Sequence, residues 1–477
     1  MAGRIPELAP PFAEAAPVRL PELRNVALTR RVLAIIDHPD FQRLRRVLQL
    51  GPTALVYPGA THTRFEHSLG VFENVRAYLL HLLRDPDFAA AAGERDLLAG
   101  LLAGLLHDLG HYPCCHALEA LGRAGLETAE HEAVGTSILF GRLSAKPIGA
   151  MLERDWGVDP QRVARLIERG PAGQDESIDA MLASVLHSPI DADKMDYLER
   201  DSIHLGVPYG RNYDRDRLLS SLAVHPASHS LAVNDKGRVS AEIFIFCRYT
   251  MFSEVYWHHA VRAVEAMTER ALEDFQQQIG LDGSALIDRL LDHSDESLLD
   301  HIAATAVADS AAARLAHGLT GGRRRLHKRV LTLSQAHRRP AFRQAYERVV
   351  GIDRAAARGL EQALADCLAR MTGRALRPGE VLLDAPPAGK HRLEDLPVLF
   401  GHKGSWAPLA ELSHTVRGIG RDFARRVAKA RVFVAPAPAR AAREALGADA
   451  LAERLLEALL DAADEPAAGP GTSGRLF

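Results

Sequence analysis

The chain has 477 residues and a mass of 52.0 kDa, enough for about three domains of ordinary size. Hydrophobic residues make up 47% and charged residues 25%, which excludes a wholly disordered, fibrous or collagen-like chain. With 58 Lys and Arg against 61 Asp and Glu the net charge is −3, so no global basic excess points to nucleic acid, which is not the favoured partner.

In chain order, residues 1–24 are rich in Pro and Ala and read as an N-terminal arm. Met1 to Ala16 lacks the apolar core of a signal peptide. Helical periodicity begins near Leu28 and runs through Val32, Ile36 and Phe41 to Leu48, where Gly51 and Pro52 break it. A second helix is expected from His67 to Leu83, ended by Asp85-Pro86-Asp87, and a third from about Arg95 to His107, stopped by Gly110 and Pro113. The longest apolar run, Leu97 to Leu106, is too short to span a bilayer and reads as a buried helix. Segments 116–170 and 176–205 read as helices with short breaks.

Arg238 to Phe246 reads as the start of a strand, and Ile243 to Ile279 as one long helix. Residues 282–310 are amphipathic and helical, and residues 352–372 form another expected helix. Val381 to Leu383 and Arg431 to Val434 are strand-like, and a last helix covers about 438–461. The fold class is therefore mainly α. Its expected parts are the arm, a core at 25–280, a helical and α+β region at 281–465 with an oligomerisation or regulatory role, and a flexible tail at 466–477.

Cys114, Cys115, Cys247 and Cys367 form no CxxC pair and no disulfide framework, which suits a reducing compartment. With no membrane span, the expected location is the cytoplasm.

The 22 histidines concentrate in a few segments: His62 to Ser68, His107 to His111, His116, and Glu130-His131-Glu132. A carboxylate cluster, Asp191-Ala192-Asp193-Lys194-Met195-Asp196-Tyr197, follows. Imidazole and carboxylate together suit Mn, Fe, Ni, Zn or Mg. His107 and Asp108 diverge by about a hundred degrees on a helix, so both reach one ion only where the helix ends, as Gly110 suggests. Two histidines and two carboxylates leave positions for water and a phosphate oxygen. An isolated His-Asp pair is weak evidence, and Asp191 and Asp193 alone read as a helix N-cap and a solvated charge. The joint pattern carries the weight.

That pattern resembles a family. Arg64-Phe65-Glu66-His67-Ser68-Leu69-Gly70, His107-Asp108-Leu109-Gly110-His111 and Asp191 to Tyr197 look like the signature of HD-superfamily phosphohydrolases, in the deoxynucleoside-triphosphate triphosphohydrolase (dGTPase-like) branch. Phe41-Gln42-Arg43-Leu44-Arg45, Gln49-Leu50-Gly51 and Tyr57-Pro58-Gly59-Ala60 extend the match, which covers roughly residues 30–270. The resemblance implies an HD-domain helical core, a smaller α+β C-terminal portion, and one divalent metal held by His67, His107, Asp108 and Asp193. It implies deoxynucleoside triphosphates as substrate, bound by Arg64, Lys194, Tyr197, Asp201, Gln49, Leu50, Arg248 and Tyr256. It places His111, His116 and His131 along the phosphates, with Glu132 holding His131; His131 is the expected general acid and His116 its rival. A homo-oligomer (dimer or tetramer) with an allosteric nucleotide is common in the branch.

The chain departs from the pattern at Cys114-Cys115, where members carry Phe-Ser, at Trp257 in place of a base-reading Gln, and at His259 in place of a Lys. The basic stretch from Arg323 to Arg348 reads as a solvated helix face, or else as a phosphate site. The competing functional classes are an HD phosphodiesterase or nuclease acting on nucleic acid or a cyclic nucleotide, and a non-catalytic nucleotide sensor.

Overall fold

A computed structural model describes residues 2–8, 16–21, 25–115, 117, 119, 130–168, 177–280, 283–320, 324–387, 396–401 and 405–464. His116, Arg323 and the tail at 466–477 lie outside them. The described chain is mainly helical with three small sheets, as the periodicity predicts.

The centre of the main core is the helix Glu94–Leu106, in which every residue from Leu97 to Leu106 is buried. An apolar surface on all sides requires neighbours on all sides. They are the helices Arg64–Leu82, Pro160–Glu168 and Ser177–His187. Gly104 lets the central helix approach Arg64–Leu82 closely, because a Cβ there would press on the side chain of Val75 at 2.6 Å. The helix Ala192–Leu205 also packs on Arg64–Leu82. Together these helices form the frame that presents the histidines.

Local chemistry sets the helix ends. Thr63 caps Arg64–Leu82 by accepting from the Glu66 N–H. Asp191 caps Ala192–Leu205, accepting from Lys194 N at 2.7 Å, so the N-cap reading of Asp191 holds. Gly206 ends that helix with φ of 70°.

Several local expectations need correction. The 28–48 helix divides into strand β2 (Asn25–Leu28), which pairs with β1 (Ala16–Arg19), then short helices Arg30–Ile36 and Pro39–Gln42 and a 3₁₀ turn. Ile5, Leu8 and Leu20 of the first segment are buried in the main core. Arg238 to Phe246 is no strand. It lies in the helix Arg238–Met251, whose β-branched and aromatic residues gain more from packing on the core than from a sheet edge. The single helix to Ile279 is interrupted by a π turn at Phe252–Tyr256 and resumes at His259–Ile279, capped by His258. The last helix is two, Pro436–Leu446 and Ala448–Asp464, separated by Gly447 at φ 76°.

Strands β3 (Leu222–Val224) and β4 (Leu231–Asn234) form a hairpin. Strand β4 continues in parallel to β7 (Pro397–Phe400), which pairs with β8 (Ser405–Pro408). The main core takes in residues beyond 280, among them Ile287, Ile302 and Val398. A second core lies in the C-terminal third. There β5 (Lys328–Leu333) and β6 (Val381–Asp384) flank β9 (Ala430–Val434), and Arg354–Thr372, Pro436–Leu446 and Ala448–Asp464 cover the sheet. The two strand-like runs are thus strands. Phe342 and Tyr346 are buried in this second core, as their helical spacing predicts.

The basic stretch is no single helix face. It splits into β5 and the helix Pro340–Val349, and its cations disperse. Arg324 donates to the Leu55 carbonyl, Arg348 to that of Leu460, and Arg339 pairs with Glu453.

Candidate active site and metal centre

His107 is the C-cap of Glu94–Leu106, so His107 and Asp108 stand where the helix ends, as their divergence requires. His67 comes from the first turn of Arg64–Leu82, and Asp193 from the first turn of Ala192–Leu205. Three helix ends therefore meet at one point. His67 Nε2 lies 3.2 Å from His107 Nε2 and 3.0 Å from Asp193 Oδ1. Asp108 joins them, with Oδ1 3.3 Å from His107 Nε2 and Oδ2 3.6 Å from His67 Nε2.

The other nitrogen of each imidazole is engaged. His67 Nδ1 bonds to Asp196 Oδ2 at 2.8 Å, and His107 Nδ1 to the Gly104 carbonyl at 3.0 Å. Both rings thus turn Nε2 toward the common point, beside two carboxylates. A donor set of facing imidazole nitrogens and carboxylate oxygens fits a divalent cation. Burial opposes charge on His67, but its hydrogen bonds to Asp193 and Asp196 lift its pKa to about 10. The negative field that does this would also favour a metal ion. His67, His107 and Asp193 can hold a divalent ion, with Asp108 alongside.

Asp196 was part of the quoted motif without a role. It lies three residues after Asp193 on the same helix face, and that spacing is the signal. Arg200 grips it through Nε and Nη2, both at 2.8 Å, and reaches Glu66 with Nη1 at 2.6 Å. Burial would raise Asp196, but the Arg200 charge holds it far below the usual carboxylate range.

A cavity of about 1090 Å³ opens on this point. His107, Asp108, Asp193, Gln49, Leu50, Arg64, His111, His131, Glu132, Lys194, Tyr197, Asp201, Arg248 and Tyr256 all line it, so the predicted site residues among those described are brought together, His67 lying just behind. Arg64 is buried and bonds to Asp108 Oδ2 at 2.9 Å and the Gln49 carbonyl at 3.1 Å. Burial would raise Asp108, yet Arg64 keeps it well below the ordinary value. Lys194 Nζ lies 2.6 Å from Asp191 Oδ2. Tyr256 is no plain core residue: its hydroxyl donates to Asp201 Oδ2 at 2.5 Å, while His62 Nε2 bonds Asp201 Oδ1 at 2.8 Å.

One expected pairing gains a second partner. His131 Nδ1 bonds to Glu119 Oε1 at 2.6 Å, whereas Glu132 Oε2 stands at 3.4 Å. Glu132 is thus within ion-pair reach of the same ring nitrogen, but Glu119 makes the shorter contact. Glu119 carries no signal in the sequence, because only the tertiary fold brings it to His131. Burial lowers the pKa of His131, but the Glu119 hydrogen bond together with the nearby charges of Glu119, Glu132 and Asp108 raises it overall. At the other end, burial and Arg329 push His259 down to about 4, leaving it neutral near pH 7.

Arg43 was also missed as a positioning residue. Its Nη1 and Nη2 hold the carbonyls of His111 and Leu109 at 2.5 and 2.6 Å, fixing the turn after the metal residues. The turn packs on the start of His131–Leu139, and a Cβ at Gly110 would strike the His131 carbonyl and the Gly135 N–H. That contact brings the His111 and His131 rings to 3.9 Å. Gly110→Ala is therefore expected to destabilise the fold by about 1–3 kcal/mol through overpacking. A thermal melt would show it, and an unchanged Tm would contradict this packing.

Comparisons with known proteins agree with the geometry. Residues 64–188 match the HD domain model, and residues 213–449 match the HD associated region model. An uncharacterized protein of Bacillus subtilis, YwfO, is 34% identical over 244 residues, covering 51% of this chain and 52% of that protein. The deoxynucleoside triphosphate triphosphohydrolase SAMHD1 of Gallus gallus is 30% identical over 323 residues, covering 62% of this chain and 52% of that protein. The chain spans about half the length of these curated relatives. A hypothetical protein from Aquifex aeolicus shares the fold at a TM-score of 0.67 and 24% identity, over 91% of this chain and all of that one. A phosphohydrolase from Bacteroides thetaiotaomicron does so at 0.64 and 21%, over 88% of this chain and all of that one.

Proposed function

The chain belongs to the HD superfamily of phosphohydrolases, and on that premise we propose that it is a metal-dependent triphosphohydrolase that cleaves a deoxynucleoside triphosphate to deoxynucleoside and inorganic triphosphate. The observation that carries the reading is one cavity that joins a divalent-metal donor set, three cations (Arg64, Lys194, Arg248) and a tyrosine–carboxylate pair (Tyr256, Asp201). The likeness to SAMHD1 supports the substrate class.

His67, His107, Asp108 and Asp193 would hold the metal. When bound, such an ion polarises phosphoryl oxygens and lowers the pKa of water. Arg64, Lys194 and Arg248 neutralise charge on the phosphate oxygens, the main demand of phosphoryl transfer. Water attacks the α-phosphorus, and the bond from that phosphorus to the 5′ oxygen breaks. His131, kept protonated by Glu119, donates its proton to the departing 5′ oxygen. His111 lies against the phosphates beside it. Glu132, in the longer of the two carboxylate contacts, adds its charge to that of Glu119 on His131. Gln49 and Leu50 border the sugar and base.

Tyr256, fixed through its hydroxyl to Asp201, packs on the deoxyribose and crowds a 2′ hydroxyl. Replacing a filled contact of this kind changes selectivity by roughly tenfold or more. Tyr256→Ala is accordingly expected to raise ribonucleotide hydrolysis relative to deoxyribonucleotide hydrolysis about tenfold, read from kcat/KM for both substrates. An unchanged ratio would remove Tyr256 from sugar selection.

The reading is tested with all four dNTPs and all four NTPs, singly and mixed, with Mn or Mg, and the products resolved by anion exchange. Deoxynucleoside with triphosphate supports it, and activity confined to mixtures adds an allosteric nucleotide. Release of monophosphate with pyrophosphate contradicts it, as does no hydrolysis of any nucleotide.

A further inference from the structure

The residues just past the metal residues carry a second set of donors. His111, Cys115 and His131 offer one nitrogen, one sulfur and one nitrogen, all within 4.8 Å of one another. All three line the large cavity, so an ion has a way in. The set differs in chemistry from the His67–His107–Asp193 group, because it contains sulfur. Thiolate with imidazole selects softer ions such as zinc over magnesium or manganese.

The supporting partners are also in place. His131 Nδ1 is held by Glu119 Oε1 at 2.6 Å, and His111 Nδ1 lies 3.2 Å from Asp108 Oδ1. A carboxylate beside each ring is the arrangement that orients metal-bound imidazoles. Cys115 Sγ lies 3.4 Å from Glu119 Oε1, so the same carboxylate accepts from the thiol. Tetrahedral zinc, with bonds of about 2.0–2.3 Å, needs ligand atoms roughly 3.5 Å apart, and these already lie within 4.8 Å of one another.

We propose that His111, Cys115 and His131 form a second metal site, separate from the His67–His107–Asp193 centre and selective for a thiophilic divalent ion of the zinc class. Binding replaces the S–H bond of Cys115 by a sulfur–metal bond, and the proton leaves past Glu119 to solvent. The two centres share Asp108, whose Oδ1 faces both His107 and His111. An ion here would occupy the two histidines that the proposed reaction assigns to the phosphates and the leaving group, so zinc at this site inhibits. That last clause rests on the proposed function; the site itself does not.

Cadmium is the probe, because a sulfur-to-cadmium charge-transfer band reports thiolate ligation without any assay of activity. Titration of the full chain is expected to give that band with one cadmium per chain. Cys115→Ser should lose the band, while Cys114→Ser, whose thiol faces Asp295 instead, should keep it. His107→Ala should keep the band while losing the ion at the other centre, and His131→Ala should weaken cadmium binding at least about tenfold. No band in the unmodified protein, or a band that survives Cys115→Ser, would overturn the site. Zinc should inhibit dNTP hydrolysis in the unmodified protein and much less in Cys115→Ser; equal inhibition of both would overturn the regulatory part. If no nucleotide is hydrolysed at all, the proposed function fails while the cadmium band still decides the site.

Discussion

Replacing His107 by Ala is expected to strip the bound divalent metal and reduce hydrolysis by roughly a thousandfold or more, since a metal ion supplies several kcal/mol of transition-state stabilisation. The fold should survive. His107 is only partly buried, and its Nδ1 bond goes to a helix-terminal carbonyl that water can satisfy. Asp108 is a different case, although the sequence places the two side by side. It is the carboxylate partner of buried Arg64, and removing one member of a buried pair costs about 3–5 kcal/mol. Asp108→Ala is therefore expected to lose metal and stability together, whereas His107→Ala loses metal alone. Elemental analysis of the purified variants, beside circular dichroism melts, separates the two effects. Full activity in His107→Ala, with metal retained, would remove the metal centre from the mechanism.

The second large effect concerns proton delivery. His131→Ala is expected to lower kcat by about 10²–10⁴, the usual contribution of a positioned general acid. Glu119→Gln should be milder and should also move the pH profile. Glu119 raises the pKa of His131 above the ordinary imidazole value. As an acid, His131 works only when protonated, so activity is present below that raised pKa and falls as pH rises through it. Without the Glu119 charge the pKa drops, and the alkaline limb of kcat shifts to lower pH. The linkage to stability has the same sign: the contribution of this pair is full below the unfolded pKa and is lost as pH rises through the folded one. Glu132→Gln serves as the control and should shift the limb much less. Equal shifts in both variants would contradict the assignment of Glu119.

Much of this site was legible in the sequence because its residues lie in short local patterns. His67 and Asp193 fall in the first turn of helices, where Thr63 and Asp191 mark the starts, and His107 and Asp108 directly follow the end of another. The Leu97 to Leu106 run announced the helix whose end presents two of them. What escaped was tertiary. Glu119 reaches His131 from a segment whose periodicity says nothing of its orientation. Arg43 clamps a turn more than sixty residues away in sequence. The strand expected at Arg238 failed because β-branched and aromatic residues fit a half-buried helix face equally well, and packing decided between them. The long helix expected to Ile279 failed at Trp257, where a π turn precedes a fresh N-cap at His258.

The central claim is cleavage between the α-phosphorus and the 5′ oxygen. It is tested most directly by hydrolysing a dNTP in water enriched in heavy oxygen and weighing both products by mass spectrometry. Attack at the α-phosphorus with loss of the 5′ oxygen puts one heavy oxygen in the inorganic triphosphate and none in the deoxynucleoside. Label in the deoxynucleoside, or label divided between monophosphate and pyrophosphate, would contradict the account.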